Sequence, residues 1–284
     1  MSKAKLHHFV PQFYLRQWCD ADEKLWVYPI DGRPPFQANP RNFAAESNLY
    51  TPKPGAPHVA DDTESWFSEW EGLFAREWPG IVDRADNPQT RKNIARFLGT
   101  LVARHPEERN AVGEMNRRLV EAVREVADEE QISIIVKDAT VNVKASEIRE
   151  FGRTDEASVR TDFIRLMPAM AKTIAEALFQ RNWGIVFSEK RSFITSDHPV
   201  ASVRGTSRKP TFGFATPGTL VFFPISPYRF LVIADEWEAP FMHYKVDDEK
   251  VFIRRVVQTA DRFVFSDRKD MRVVKAIQKL KSSK

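Results

Sequence analysis

The spacing of hydrophobic residues indicates short strands near the N-terminus of this chain. Residues 25–30, with the sequence LWVYPI, combine aromatic and β-branched residues and predict a strand. Pro29 indicates that this strand either lies at the edge of a sheet or ends near that residue, because proline cannot donate a ladder hydrogen bond. Residues 6–19 predict a short extended piece and then a short helix, with Pro11 in its first turn, where proline is tolerated.

The middle of the chain has apolar residues at helical spacing. Trp66, Trp70 and Leu73 form one stripe, and their helix is predicted to begin near Asp61, after a proline-rich loop at 51–57. Further helices are predicted at 88–104, 107–127 and 155–180, the last kinked near Pro168, and a strand or hairpin is predicted at 132–143. The charged helix at 107–127 is expected to be exposed over most of its surface.

The last third of the chain returns to strand-like runs. Strands are predicted at 183–187, 193–195, 220–223, 230–233 and 262–266, and helices at 248–260 and 270–281. Since helices and strands segregate along the chain, the pattern predicts an α+β fold, with the helical middle packed on a mostly antiparallel sheet built from the C-terminal third plus N-terminal strands. We expect residues 1–284 to form a single domain, and the pattern leaves open a helical subdomain over 61–180.

Composition narrows the class of protein. Hydrophobic residues make up 42% of the 284 and charged residues 29%, which is enough for a large core and unlike a membrane protein. No apolar run approaches the ~20 residues that span a bilayer, so no membrane partner is expected. The single cysteine, Cys19, excludes an internal disulfide and a cysteine-based zinc site, and it favours a cytoplasmic location.

The net charge of +4 is a weak field over 284 residues. A nucleic-acid partner is therefore compatible with the chain but not indicated by its charge. The C-terminal stretch from Arg268 to Lys284 is locally basic, a pattern typical of a solvated helix end.

Two adjacent histidines, His7 and His8, open the chain's most distinctive segment. On an extended segment neighbouring side chains point to opposite faces, so at most one of them is expected to face a pocket. That histidine would serve as a base or a ligand, because imidazole titrates near neutral pH. The alternative is that a histidine anchors the N-terminal segment by hydrogen bonds.

The run His7-His8-x-Val10-Pro11-x-x-Tyr14-Leu15-Arg16 resembles the opening of a bacterial family of domains of unknown function. The resemblance extends over nearly the whole chain, through the step Arg104-His105-Pro106 and the motif Thr195-Ser196-Asp197-x-Pro199. It implies membership of a family without an assigned reaction. Within these motifs we expect His7, Gln12, Arg16 and Ser196 to contact a ligand.

The segment Thr195–Pro199 follows a predicted strand and ends in proline, so it is predicted to be a turn. Asp197 there would bind a metal or orient a histidine. Alternatively, serine and aspartate in turns bond their own backbone. No G-x-S-x-G surrounds Ser196, which disfavours a serine nucleophile.

Glu71 lies beside the apolar stripe of its helix, between Trp70 and Leu73. A partly buried carboxylate needs a partner, and Arg104 or a histidine is expected to supply it. Such a pair would belong either to an acid–base or metal site or to a structural ion pair.

Two hypotheses follow. No phosphate-binding or dinucleotide-binding glycine motif is present, so no dinucleotide cofactor is expected. The first hypothesis is a metal-dependent hydrolase of the phosphodiesterase or nuclease type, whose only suggested cofactor is a divalent metal. Its catalytic residues would be His8, Glu71, Arg104 and Asp197, with His7 and His198 as alternates. His8 and Asp197 are the metal candidates, and a shared metal would hold them within ~5 Å in an open cleft. The second hypothesis is a non-catalytic binding or regulatory protein, in which the same residues are structural.

Overall fold

The structure is a computed structural model that describes residues 6–81, 87–136, 139–204, 213–235, 241–245 and 249–282. Its helices are α1 (Gln12–Leu15), α2 (Pro57–Ile81), α3 (Pro88–Ala103), α4 (Pro106–Ala122), α5 (Ala145–Phe151), α6 (Glu156–Phe179), α7 (Lys250–Thr259) and α8 (Met271–Ser282). Its strands are β1 (Leu6–His8), β2 (Leu25–Pro29), β3 (Phe36–Ala38), β4 (Ala45–Ser47), β5 (Gln131–Val136), β6 (Ala139–Lys144), β7 (Trp183–Phe187), β8 (Thr195–Ser196), β9 (Ala201–Arg204), β10 (Thr219–Ser226), β11 (Arg229–Ile233), β12 (Phe241–Lys245) and β13 (Phe263–Ser266). Among these helices, none has the length and apolar character that a bilayer crossing requires.

The α+β prediction is confirmed, but the strands form two larger sheets instead of one. The first has the order β12-β7-β11-β10-β9, and all its pairs are antiparallel except β12 with β7. The second, β3-β2-β13-β8, is antiparallel and joins N-terminal strands to C-terminal ones. Strand β2 is an inner strand of that sheet, and Pro29 is its last residue, as expected for proline.

The helical middle matches its periodicity closely. Helix α2 begins at Pro57 and not near Asp61, because proline suits the first turn of a helix as well as a loop. Helix α4 buries only Val112 and Asn116, as its dense charge predicted. Helices α3 and α6 pack tightly at Gly99, where an added Cβ would lie 2.2 Å from the carbonyl oxygen of Ala171.

One continuous hydrophobic core runs through the described residues from Phe9 to Ile277. It includes side chains of the N-terminal segment, of the helical middle and of both larger sheets, among them Trp18, Trp78 and Trp183, which are all almost completely buried. A small second cluster of Val123, Ala145 and Ile148 lies beside the β5–β6 hairpin. The main core therefore fixes the loops at the ends of α3, β8 and α7 against each other.

Candidate functional site

The N-terminal motif and the Thr195–Pro199 turn meet in the core. The hydroxyl of Tyr14 donates to the carbonyl oxygen of Pro224 at 2.6 Å, so it accepts from Thr195 Oγ1 at 2.7 Å. Tyr14 is fully buried, and burial raises the pKa of its phenol far above the ordinary value. The phenol is therefore a neutral structural link between α1, β8 and β10.

Close to this link, His105 and His198 stack face to face. Their ring centroids are 4.2 Å apart with an interplanar angle of 23°, and the ring of Phe9 meets His105 edge-on at 5.2 Å. His105 is buried and is the N-cap of α4, ahead of Pro106 at the first helical position. The His198 side chain is 23% exposed, so one ring of the stack reaches solvent.

Two carboxylates border the stacked rings. Asp261 lies with Oδ2 3.3 Å from His105 Nε2 and Oδ1 3.6 Å from His198 Nδ1. Glu107 approaches from the first turn of α4, with Oε2 3.6 Å from His198 Nδ1. We call His105, Glu107, His198 and Asp261 the histidine–carboxylate cluster.

The proton on His105 can be assigned from its contacts. Nδ1 accepts the backbone N–H of Glu107 at 3.3 Å, so the neutral ring carries its proton on Nε2, the atom that faces Asp261. Nε2 is buried, and no partner among the described residues meets hydrogen-bond geometry with it. A carboxylate that faces the protonated nitrogen of a histidine is the arrangement that orients imidazoles at metal and acid–base sites.

The two histidines titrate in opposite directions. Burial and the neighbouring His198 lower the pKa of His105, which keeps that ring neutral. Burial also acts to lower the pKa of His198, but the carboxylates of Asp261 and Glu107 outweigh it, and the net pKa lies above the ordinary value. The pKa of Asp261 is lowered, mainly by its contact with His198. One neutral and one readily protonated imidazole thus share a carboxylate.

Three residues of the cluster are placed to hold a cation. One ligand atom each of His105, Glu107 and His198 lies within 4.8 Å of the other two. Two imidazoles and a carboxylate are the protein ligands of many hydrolytic zinc sites. A metal on the lone pair of His105 Nδ1 would replace the long capping bond from Glu107 and would leave Nε2–H facing Asp261.

Asp197 positions the backbone of the segment that carries Asp261. Its carboxylate is buried and accepts three backbone N–H groups, with Oδ1 3.0 Å from Asp261 N and Oδ2 2.9 Å from Arg262 N and 3.1 Å from Phe263 N. Burial, against those hydrogen bonds, raises the pKa of Asp197 to about 6. The predicted turn is present, and its aspartate holds the loop on which Asp261 stands.

Arg104 and Glu71 form the expected pair. Arg104 donates to Glu71 Oε1 at 2.5 Å and to the carbonyl oxygen of His8, and its guanidinium lies 4.6 Å from the ring centroid of Phe67. Arg104 is 4% exposed. Its contacts have the geometry of the structural ion pair, because they tie α2 and the N-terminal strand to the end of α3.

The adjacent histidines separate as their extended backbone predicts. His7 is buried, and its Nδ1 accepts the backbone N–H of Tyr50 at 3.1 Å. His8 is partly exposed, and its Nε2 lies 2.9 Å from the carbonyl oxygen of Arg41 and 3.2 Å from Gln12 Nε2. In the described part of the chain, no hydrogen bond or ion pair joins His8 to Asp197.

Arg16 and Ser196, the other two residues predicted to contact a ligand, differ in their exposure to solvent. Arg16 is exposed at the end of α1, whereas Ser196 is buried and its Oγ accepts the backbone N–H of His198 at 3.1 Å. Ser196 thus shapes the turn that carries His198.

Three members of the cluster, His105, Glu107 and Asp261, are not among the catalytic or ligand-binding residues that the sequence predicts. His105 belongs to the Arg104-His105-Pro106 step, whereas Glu107 and Asp261 lie in no motif of the sequence. The available signal was a histidine directly before a proline that opens a helix, followed by an acidic first turn. Nothing in the sequence marks Asp261, because its position depends on Asp197, 64 residues earlier.

A family model described as "Protein of unknown function (DUF4238)" matches residues 6–270. No curated protein and no solved structure matches the chain.

Proposed function

Because the chain belongs to the DUF4238 family of proteins of unknown function, whose description assigns no reaction, we propose a function from geometry: a metal-dependent hydrolase of phosphodiesters. The observation that carries the proposal is the approach of His105, Glu107 and His198, whose ligand atoms lie within 4.8 Å of one another. Their donor set suits a divalent metal of the zinc type.

The chemistry follows from the donor set. A metal ion lowers the pKa of a bound water and supplies hydroxide near neutral pH. Asp261 faces His105 Nε2 and would fix the orientation of that ring. Arg262, whose side chain is 59% exposed next to Asp261, would bind a phosphate oxygen. These roles move the proposed metal from the pair His8 and Asp197 to the histidine–carboxylate cluster.

Asp197 and Arg104, which the sequence predicts to be catalytic, would then hold other residues of the site in place. Asp197 holds the backbone of residues 261–263, and Arg104 precedes His105 and fixes the end of α3. We propose them as positioning residues. The free thiol of Cys19 fits a reducing cytoplasm, where we propose that the protein acts.

The test is turnover of bis(p-nitrophenyl) phosphate and of a short single-stranded oligonucleotide, with zinc, manganese or a chelator present. Wild-type protein is expected to hydrolyse at least one substrate only with a divalent metal. Glu107→Gln and His198→Asn should each reduce the rate by ~10–100-fold or more, and Glu69→Gln, on an exposed position of α2, should not change it. Turnover that is unaffected by the chelator or by both cluster variants would overturn the assignment.

A second candidate function is a non-catalytic binding or regulatory protein. It is favoured by the full engagement of Asp197 with three backbone amides and of Arg104 with Glu71, His8 and Tyr50. It predicts that folded protein turns over neither substrate with any of the metals tested. That result would overturn the hydrolase proposal.

A further inference from the structure

A trough of about 470 Å³ lies between α7 and α8, on elements that none of the proposed catalytic residues occupies. Its floor is apolar and is formed by Ile253 and Val257 from α7 and by Ala276 and Leu280 from α8. Val251, also in the lining, is 65% exposed. The volume lies in the range of small-molecule sites, ~300–1,000 Å³.

The rim of the trough is basic. Five of its described lining residues are cationic and none is acidic; the cations are Lys250, Arg254, Arg272, Lys275 and Lys279. Arg272 at this rim is paired with two carboxylates: Asp270 Oδ2 lies 2.7 Å from Arg272 Nη2, and Glu249 Oε2 lies 3.6 Å from Nη1. An apolar floor under a ring of positive charge is complementary to a ligand with an apolar body and an anionic group.

The lining and the concave shape of the trough favour a small anionic amphiphile over a nucleic acid or a membrane surface. The lining contains no aromatic side chain among the described residues, so it lacks the stacking platform that single-stranded nucleic acids use. The surface is concave, whereas a helix that lies on a membrane presents a convex apolar face. Binding of a single apolar chain along the floor would be favourable, because each methylene group that it buries there is removed from water.

We propose that the trough binds a single-chain anionic amphiphile of the fatty-acid carboxylate class. The hydrocarbon chain would lie on Ile253, Val257, Ala276 and Leu280, and the carboxylate would face the basic rim. This inference is independent of the hydrolase proposal, because it uses other residues and another ligand.

Isothermal titration calorimetry of the full chain with sodium decanoate, below its micelle concentration, tests the proposal. One decanoate per chain is expected. Acetate, which lacks the chain, and decyltrimethylammonium, which carries the opposite charge, are each expected to bind at least ~10-fold more weakly. Equal binding of decanoate and decyltrimethylammonium, or of decanoate and acetate, would overturn it.

Variants locate the site. The double variant Arg254→Glu with Lys275→Glu changes two exposed positions and is expected to weaken decanoate binding by ~10-fold or more. Ala276→Trp, which fills the floor, should do the same, and Lys172→Glu on α6 should leave binding unchanged. Decanoate affinity that survives the double charge reversal would refute the site. Displacement of decanoate by a short single-stranded DNA, lost in that double variant, would assign the trough to nucleic acid instead.

Discussion

Tyr14 joins three elements through one hydroxyl, and its ring packs among Trp18, Trp78 and Phe223. The histidine–carboxylate cluster depends on such single contacts, because β8 leads directly into the turn that carries His198. A buried side chain of this kind contributes to stability through the hydrogen bonds that it makes as well as through the apolar area that it buries.

Tyr14→Phe is expected to lower the free energy of unfolding by ~1–3 kcal/mol, because it leaves Thr195 Oγ1 and the Pro224 carbonyl oxygen without their buried partner. Urea denaturation measures the change. Tyr228→Phe is the matched control, since Tyr228 is 38% exposed and should lose little. Equal losses in the two variants would show that the buried hydroxyl contributes nothing special.

The stacked histidines should titrate apart in metal-free protein. His198 has a raised pKa, so it should gain its proton at a higher pH than a free histidine, whose pKa is 6.5. His105 has a lowered pKa and should remain neutral throughout that pH range. Two-dimensional NMR of the imidazole nitrogens follows both rings. If His105 is protonated first, the assignment of its buried, neutral tautomer is incorrect.

Some of the cluster was accessible from sequence. His198 lies in the Thr195–Pro199 motif, and the motif predicts that Asp197 binds a metal or orients a histidine. Instead of a histidine, Asp197 orients backbone amides that lie 64 to 66 residues later in the chain. A contact at that separation leaves no local pattern, so Asp261 could be identified only from the fold.

Helices α3 and α6 show what periodicity predicts at the scale of elements and what it omits. Apolar spacing located both helices within a few residues, since each has one long buried face. It did not predict β9 and β12, which are the edge strands of their sheet and pair on one side only. Apolar spacing also does not predict that the strands form two sheets, because it carries no information about which strands pair with each other.

Gly99→Ala tests the tight packing of α3 against α6 at this position. The added Cβ would lie 2.2 Å from the Ala171 carbonyl oxygen, so the helices must move apart, at a cost of ~1–3 kcal/mol or more. Gly72→Ala on α2 is the control, since nothing lies within 4 Å of its added Cβ. Helix propensity should stabilise that variant by up to ~1 kcal/mol. Thermal unfolding of both variants gives the comparison, and a stable Gly99→Ala would contradict the close packing.

The larger of the two core clusters among the described residues includes Trp18 before the helical middle, Trp78 within it and Trp183 after it. We therefore propose a single domain in which residues 61–180 do not fold as a separate subdomain. Urea unfolding followed by far-UV circular dichroism and by tryptophan fluorescence should give coincident transitions. An earlier loss of one signal would indicate a separately unfolding helical part.

We propose that the histidine–carboxylate cluster holds a divalent metal. Titration of metal-free protein with cobalt, followed by visible absorption, tests it directly. We expect one cobalt per chain, with binding lost in Glu107→Gln and His198→Asn and retained in His8→Asn and Glu69→Gln. No cobalt binding by folded wild-type protein, or binding that both cluster variants keep, would show that the cluster is not a metal site.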